Sequence, residues 1–168
     1  MRLARPRLFL WALVLAASIF ALDQASKLWL FQWVLRESDE IVLAPFLSLV
    51  KRQNLGVSFS FLATGHPFGR FALAGLALGI SVILLIWLAR TTDRIAGVGL
   101  GLIIGGAIGN VADRLLVGAV QDFLLLHWHE WAWPAFNLAD SAITLGVVLL
   151  LVEGFALKRR KLPVAGPD

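Results

Sequence analysis

The chain has 168 residues, 59% of them hydrophobic and only 15% charged, with a formal net charge of +4. That balance is far from the one that keeps a soluble domain in water, and it puts the chain in a bilayer. The absence of cysteine excludes disulfides, thiolate nucleophiles and cysteine-bound metals, and the lack of an aromatic-interleaved basic stripe argues against nucleic acid as a partner.

Arg2, Arg5 and Arg7 precede an apolar run, in the manner of a secretory signal. The run continues past Asp23 to Phe31 without a small-residue cleavage site, and more apolar segments follow, so it is read as a first membrane span. Spans are expected at about 8–31, 71–88, 95–112 and 141–157, each near the roughly 20 apolar residues that a bilayer requires. Four spans place both termini on one side. Arg2, Arg5 and Arg7, then Arg90 and Arg94, then Lys158, Arg159, Arg160 and Lys161 make that side cytoplasmic. Residues 32–70 and 113–140 then face the other compartment, and they hold nearly all the unusual polar residues.

In the first outer segment, residues 40–50 and 57–63 read as short strands separated by Lys51, Arg52, Gln53, Asn54 and Gly56. They predict a two- or three-stranded sheet lying over the helices at the membrane surface. In the second, Trp128, Trp131 and Trp133 mark a return to the headgroup region. There is no internal repeat. The whole of 1–168 is read as one membrane-embedded domain, with a disordered tail at 162–168 that contains Pro163, Gly166 and Pro167.

Ionisable side chains at membrane depth are costly and are usually paired or functional. Asp23 and Lys27, with Gln24 between them, are four apart on one helix face and predict an ion pair near the outer interface, with Lys27 snorkelling. Asn54-Leu55-Gly56 is the composition of a turn. Gly105, Gly106 and Gly109 permit close helix approach, while Asn110 and Arg114, one helical turn apart, direct an amide and a guanidinium toward the same outer pocket. Arg114 has Asp113 or a neighbouring carboxylate as its partner.

Asp122 and Asp140 are each embedded in apolar sequence at the edge of a span. Burial and a second carboxylate both raise a carboxyl pKa, which suits a dyad in which one member holds a proton while the other takes one from water. The residues alone leave a second reading open: Asp122 as a solvated loop residue and Asp140 as the N-cap of a helix starting at Ser141. His127-x-His129 with Glu130 lacks the spacing of a helical metal site, and Ser58, Ser60 and Ser141 lack the context of a serine nucleophile. Two non-enzymatic readings also stand: a proton or ion relay through Asp23, Lys27, Asp113 and Arg114, and a scaffold docking a partner on the glycine-rich third span.

The ordered series Asp23-Gln24-Ala25-Ser26-Lys27, Asn54-Leu55-Gly56-Val57-Ser58-Phe59, Gly109-Asn110-Val111-Ala112-Asp113-Arg114, Val120-Gln121-Asp122-Phe123 and Phe136-Asn137-Leu138-Ala139-Asp140 closely resembles the motifs of bacterial lipoprotein signal peptidases. The match spans most of the chain. One departure is Ser58, where the family more often has alanine, and it bears only on local packing. The resemblance implies an all-α integral membrane protein of four transmembrane helices with a small extracytoplasmic β-cradle and a short interfacial helix. It implies an aspartyl endopeptidase that needs neither metal nor cofactor. Asp122 and Asp140 would be the catalytic pair; Asn54, Gly56, Asn110, Asp113, Arg114 and Asn137 would shape the pocket, with Asp23 and Lys27 supporting it. Substrates would be prolipoprotein signal peptides, cut just before a cysteine carrying diacylglycerol, at the outer face of the inner membrane. The resemblance adds membrane lipid as a partner and a monomeric enzyme.

Overall fold

A computed structural model describes residues 6–56 and 67–161. Residues 57–63, expected to hold a strand, the serines Ser58 and Ser60, and the tail 162–168 lie outside the described residues. The elements in chain order are α1 (Pro6–Trp29), ending in a π-helical turn (Leu30–Val34), β1 (Glu40–Ala44), β2 (Leu47–Asn54), α2 (Pro67–Leu88), α3 (Arg94–Leu116), β3 (Val120–Trp128), β4 (Trp131–Ala132) and α4 (Leu138–Lys161). All four α-helices are long and apolar enough to cross a membrane.

Hydrophobic residues surround α1, α2 and α4 on all sides, and each buries only 17% of its most apolar window within the protein; α3 buries 78%. The reason is composition. α3 is rich in glycine, and small residues let neighbouring backbones approach where larger ones would hold them apart. A Cβ on Gly101 would stand 2.8 Å from the Ala12 carbonyl oxygen of α1, and one on Gly99 would stand 2.9 Å from the Gly146 carbonyl oxygen of α4. The helix therefore threads the middle of the bundle, with Leu100 and Ile104 joining Ala12, Ala16 and Leu88 in the core. The side chains that the other three helices turn outward, such as Val14, Ile83 and Leu151, are more than half exposed and form the surface offered to lipid.

The chain is not all-α. A four-stranded antiparallel sheet in the order β1-β2-β3-β4 joins the two outer segments. The strand β2 runs through Lys51, Arg52, Gln53 and Asn54, which the sequence suggested as a connection, and β3 occupies the segment read only as a tryptophan-rich return. Those tryptophans flank the tight β3–β4 turn, where His129 takes a positive φ of 53°. The sheet docks on the helices through Phe123, which packs with Leu30 and Phe31 of the π turn. No separate short helix occurs among the described residues.

Candidate active site

Three local decisions bring the polar residues to one end of the bundle. α3 continues to Leu116, beyond the expected end near 112, so Asn110, Asp113 and Arg114 are all carried on helix. α4 begins at Leu138 rather than Ser141. Its cap is Asn137, not Asp140: the Asn137 Oδ1 accepts from the Asp140 backbone N–H (2.9 Å), while Asp140 Oδ2 accepts from the Asn137 N–H (3.2 Å). This reciprocal pair is a capping box, and it fixes the Asp140 carboxylate over the first turn. The third decision is β3 itself, which takes Asp122 out of any solvated loop and leaves it only 2% exposed.

Below the aspartates lies a closed ionic layer. Lys27 Nζ of α1 sits 2.7 Å from Asp23 Oδ2 and 2.7 Å from Asp113 Oδ2. The predicted pair is present, but Lys27 does not snorkel. It is 1% exposed and pairs with a second carboxylate across the bundle. Asp113 is thus taken by Lys27 and not by Arg114. Each carboxylate also holds a second element: Asp23 Oδ1 accepts from the Ala139 N–H at the start of α4 (3.0 Å), and Asp113 Oδ2 accepts from the Gln121 N–H at the start of β3 (3.0 Å). Gln24, to which the sequence assigned no part of its own, donates to Asp113 Oδ1 (2.9 Å), Asp23 Oδ2 and the Gly109 carbonyl. Its position one residue from Asp23 at membrane depth was the available signal.

Above that layer, two amides connect the aspartates. Asn110 Nδ2 donates to Asp140 Oδ1 (2.8 Å), and Asn137 Nδ2 donates to Asp122 Oδ1 (2.8 Å). Asn137 Nδ2 also reaches Asn110 Oδ1 (3.2 Å), so the chain of contacts runs from one carboxylate to the other without a break. Burial pushes the Asp122 carboxyl from its ordinary 3.8 up to about 6, and the nearby Asp140 charge adds to the rise, while the Asn54 and Asn137 side chains oppose it. Arg114 donates to the Asn110 carbonyl (3.2 Å) and lies in the field of Asp140, Asp113 and Asp122. Asn54 closes β2 and its Oδ1 accepts from the Gly56 N–H (2.9 Å) in an Asx turn at positive φ, 84°. The ten positions that the resemblance gives as catalytic, pocket or supporting residues therefore fall in this end of the molecule or at its rim. The histidines do not: His127 bonds the buried Ser48 hydroxyl across β2 and β3 (3.0 Å).

Asp140 opens onto a cavity of about 730 Å³ between the β3–β4 hairpin and α4, lined by Trp131, Trp133, Phe136, Thr144 and Val148 among others. A pair of carboxyl groups held by amides, one buried and one facing an apolar cavity at the membrane edge, is equipped for acid–base chemistry on a lipid-phase peptide.

The family model for Signal peptidase (SPase) II matches residues 15–156. The chain belongs to the signal peptidase II family. It is 47% identical over 149 residues to the lipoprotein signal peptidase of Methylocella silvestris, covering 88% of this chain and 86% of that protein. The Yersinia pseudotuberculosis lipoprotein signal peptidase is 45% identical over 150 residues with the same coverage, and that of Nitrobacter hamburgensis is 44% identical over 148, covering 85% and 90%. The fold is similar to that of a bacterial membrane enzyme solved in meso at 2.3 Å, with a TM-score of 0.72 and 26% identity over 93% of this chain and 94% of that one. A related structure at 1.9 Å gives a TM-score of 0.70 at the same identity, covering 84% and 90%. The signal peptidase II family is an aspartic protease family; the chain is a multi-pass membrane enzyme that cleaves the signal peptides of lipoproteins.

Proposed function

We propose that Asp122 and Asp140 are the catalytic carboxylates, and that the peptide bond cut is the one just before a diacylglyceryl-modified cysteine. The observation that carries this is the amide bridge: Asn110 and Asn137 join two carboxyl groups from β3 and α4, one of them raised to about 6. Two carboxylates in one site share a proton. Asp122, the more buried, holds it and delivers it to the departing amine, while Asp140, at the cavity wall, takes a proton from the attacking water. The Asn54 side chain, which bonds Asp122, and the Arg114 guanidinium, in the field of both aspartates, supply donors for the charge that develops on the carbonyl oxygen.

The signal helix enters from the lipid through the cavity beside α4, so the acyl chains stay in the membrane while the scissile bond reaches Asp140. The site lies on the extracytoplasmic side of the inner membrane, with both termini in the cytoplasm, because the basic clusters lie at the opposite ends of the helices. A single chain supplies both aspartates and acts as a monomer. Asn110, Asp113, Asn137, Asp23 and Lys27 position the pair, and Gly56 shapes the turn beneath Asn54.

Purified chain in detergent is expected to cleave a diacylglyceryl-modified prolipoprotein, and Asp122→Asn and Asp140→Asn to lose about 10²–10⁴-fold in kcat, as removal of a general acid or base does. Near-normal turnover by either folded variant eliminates the pair.

A further inference from the structure

At the end of the bundle away from the aspartates, a groove of about 780 Å³ lies between the first turns of α1 and α3, lined by Arg7, Leu8, Trp11, Thr92, Arg94 and Val98. α3 opens at Arg94 and carries Asn110 toward its other end, so the groove is roughly 25 Å from the candidate active site. Both sides of the groove are held rigid where the helices touch: a Cβ on Gly97 would stand 2.9 Å from the Leu8 side chain. Its charges are unbalanced. Among the described residues, the lining holds two guanidinium groups and no carboxylate. The nearby Asp93 is turned away, its carboxylate capping the Ala96 N–H at 2.9 Å and lining a separate cavity with Arg90 and Glu153. Beyond the arginines the lining is apolar, and Trp11 is 72% exposed, a residue type enriched at the headgroup boundary.

We propose that this groove is a binding site for an anionic phospholipid of the leaflet opposite the active site, its phosphate held by Arg7 and Arg94 with Thr92 as a hydroxyl donor, and its acyl chains lying along Leu8, Trp11 and Val98. The planar guanidinium fork suits a phosphate oxygen pair better than an ammonium would. The volume falls within the range of roughly 300–1,000 Å³ typical of small-molecule sites. Nothing in this assignment depends on which residues cut the substrate.

The test is native mass spectrometry of the full chain in a neutral detergent, titrated with dioleoylphosphatidylglycerol, dioleoylphosphatidylcholine or inorganic phosphate. Two arginines at a membrane surface, each worth about a factor of five, give an expected preference of roughly twenty-five-fold for the anionic lipid over the zwitterionic one. Arg7→Gln/Arg94→Gln should bring phosphatidylglycerol down to the phosphatidylcholine level while substrate cleavage in detergent continues, which also shows that the variant is folded. Should the double variant fail to fold, each single variant is expected to lose about fivefold. Equal binding of the two lipids by the wild type overturns the proposal, as does an undiminished preference in folded variants. Inorganic phosphate binding as tightly as phosphatidylglycerol would overturn it too, since the groove would then take a free anion and not a lipid.

Discussion

At Asp122 the folded protein binds more protons than the unfolded chain does over a defined pH range. The ordinary carboxyl titrates at 3.8 and the folded one near 6, because β3 buries it beside Asp140. With respect to this group, stability is fully present below pH 3.8 and is lost as pH rises to about 6. The loss is about 1.36 kcal/mol for every pH unit between those two values, so it reaches roughly 3 kcal/mol. Asp122→Asn removes a buried charge and keeps an oxygen to accept from Asn137. The variant is expected to be more stable than the wild type at about pH 7.5, by up to about 3 kcal/mol, and to keep only about 1 kcal/mol of that advantage at about pH 4.5. Thermal unfolding in detergent at the two pH values measures it, and a melting difference that does not change with pH would show that the burial cost has another origin. Lys27 is the contrasting case. As a residue four positions from Asp23 it was legible as half of an ion pair, but its second partner, Asp113, is 86 positions away and is brought near only by the packing of α1 on α3.

The element that organises the others is α3, and its glycines are the physical reason. Gly101 and Gly79 make a matched comparison. A Cβ on Gly79, in α2, meets nothing within 4 Å, whereas one on Gly101 meets the backbone of α1 at Ala12. Alanine is the better helix former by about 1 kcal/mol, so Gly79→Ala is expected to be neutral or stabilising. Gly101→Ala must push α1 away from α3 and is expected to cost roughly 1–3 kcal/mol of stability. Because Asp23 and Lys27 ride on α1, it should also lower peptidase activity. Equal melting temperatures for the two variants would mean that the helices separate without cost. The same elements show why the sheet was only partly legible. The strand β2 carries the run Lys51, Arg52, Gln53 and Asn54, which is polar because its far end is exposed, and a polar run looks like a connection. β3 reads as an apolar stretch next to tryptophans, which a lipid-facing return would also produce. Capping was hidden for a related reason: Asp140 and Asn137 are both good N-cap residues three apart, and only the backbone bonds decide between them.

Across the whole molecule, polarity is divided between two ends. The apolar lengths of the four helices, and the order of the site motifs along the chain, were legible because they are properties of continuous sequence. The joining of Asp122 to Asp140 through Asn110 and Asn137 was not, because it is made by four residues from α3, β3 and α4. The proposed orientation has a direct test in the absence of cysteine, since any introduced cysteine is the sole thiol in the chain. Ser38 lies in the outer connection before β1, and Thr92 lies between α2 and α3; both are exposed. In right-side-out spheroplasts, a membrane-impermeant maleimide is expected to label Ser38→Cys and to leave Thr92→Cys unlabelled until the membrane is permeabilised. The positive residues at Arg90 and Arg94 hold their loop on the cytoplasmic side, and a charged loop does not cross a bilayer once the flanking helices are packed. The reverse labelling pattern would place the aspartates in the cytoplasm, where a lipid-modified precursor emerging on the outer face could not reach them.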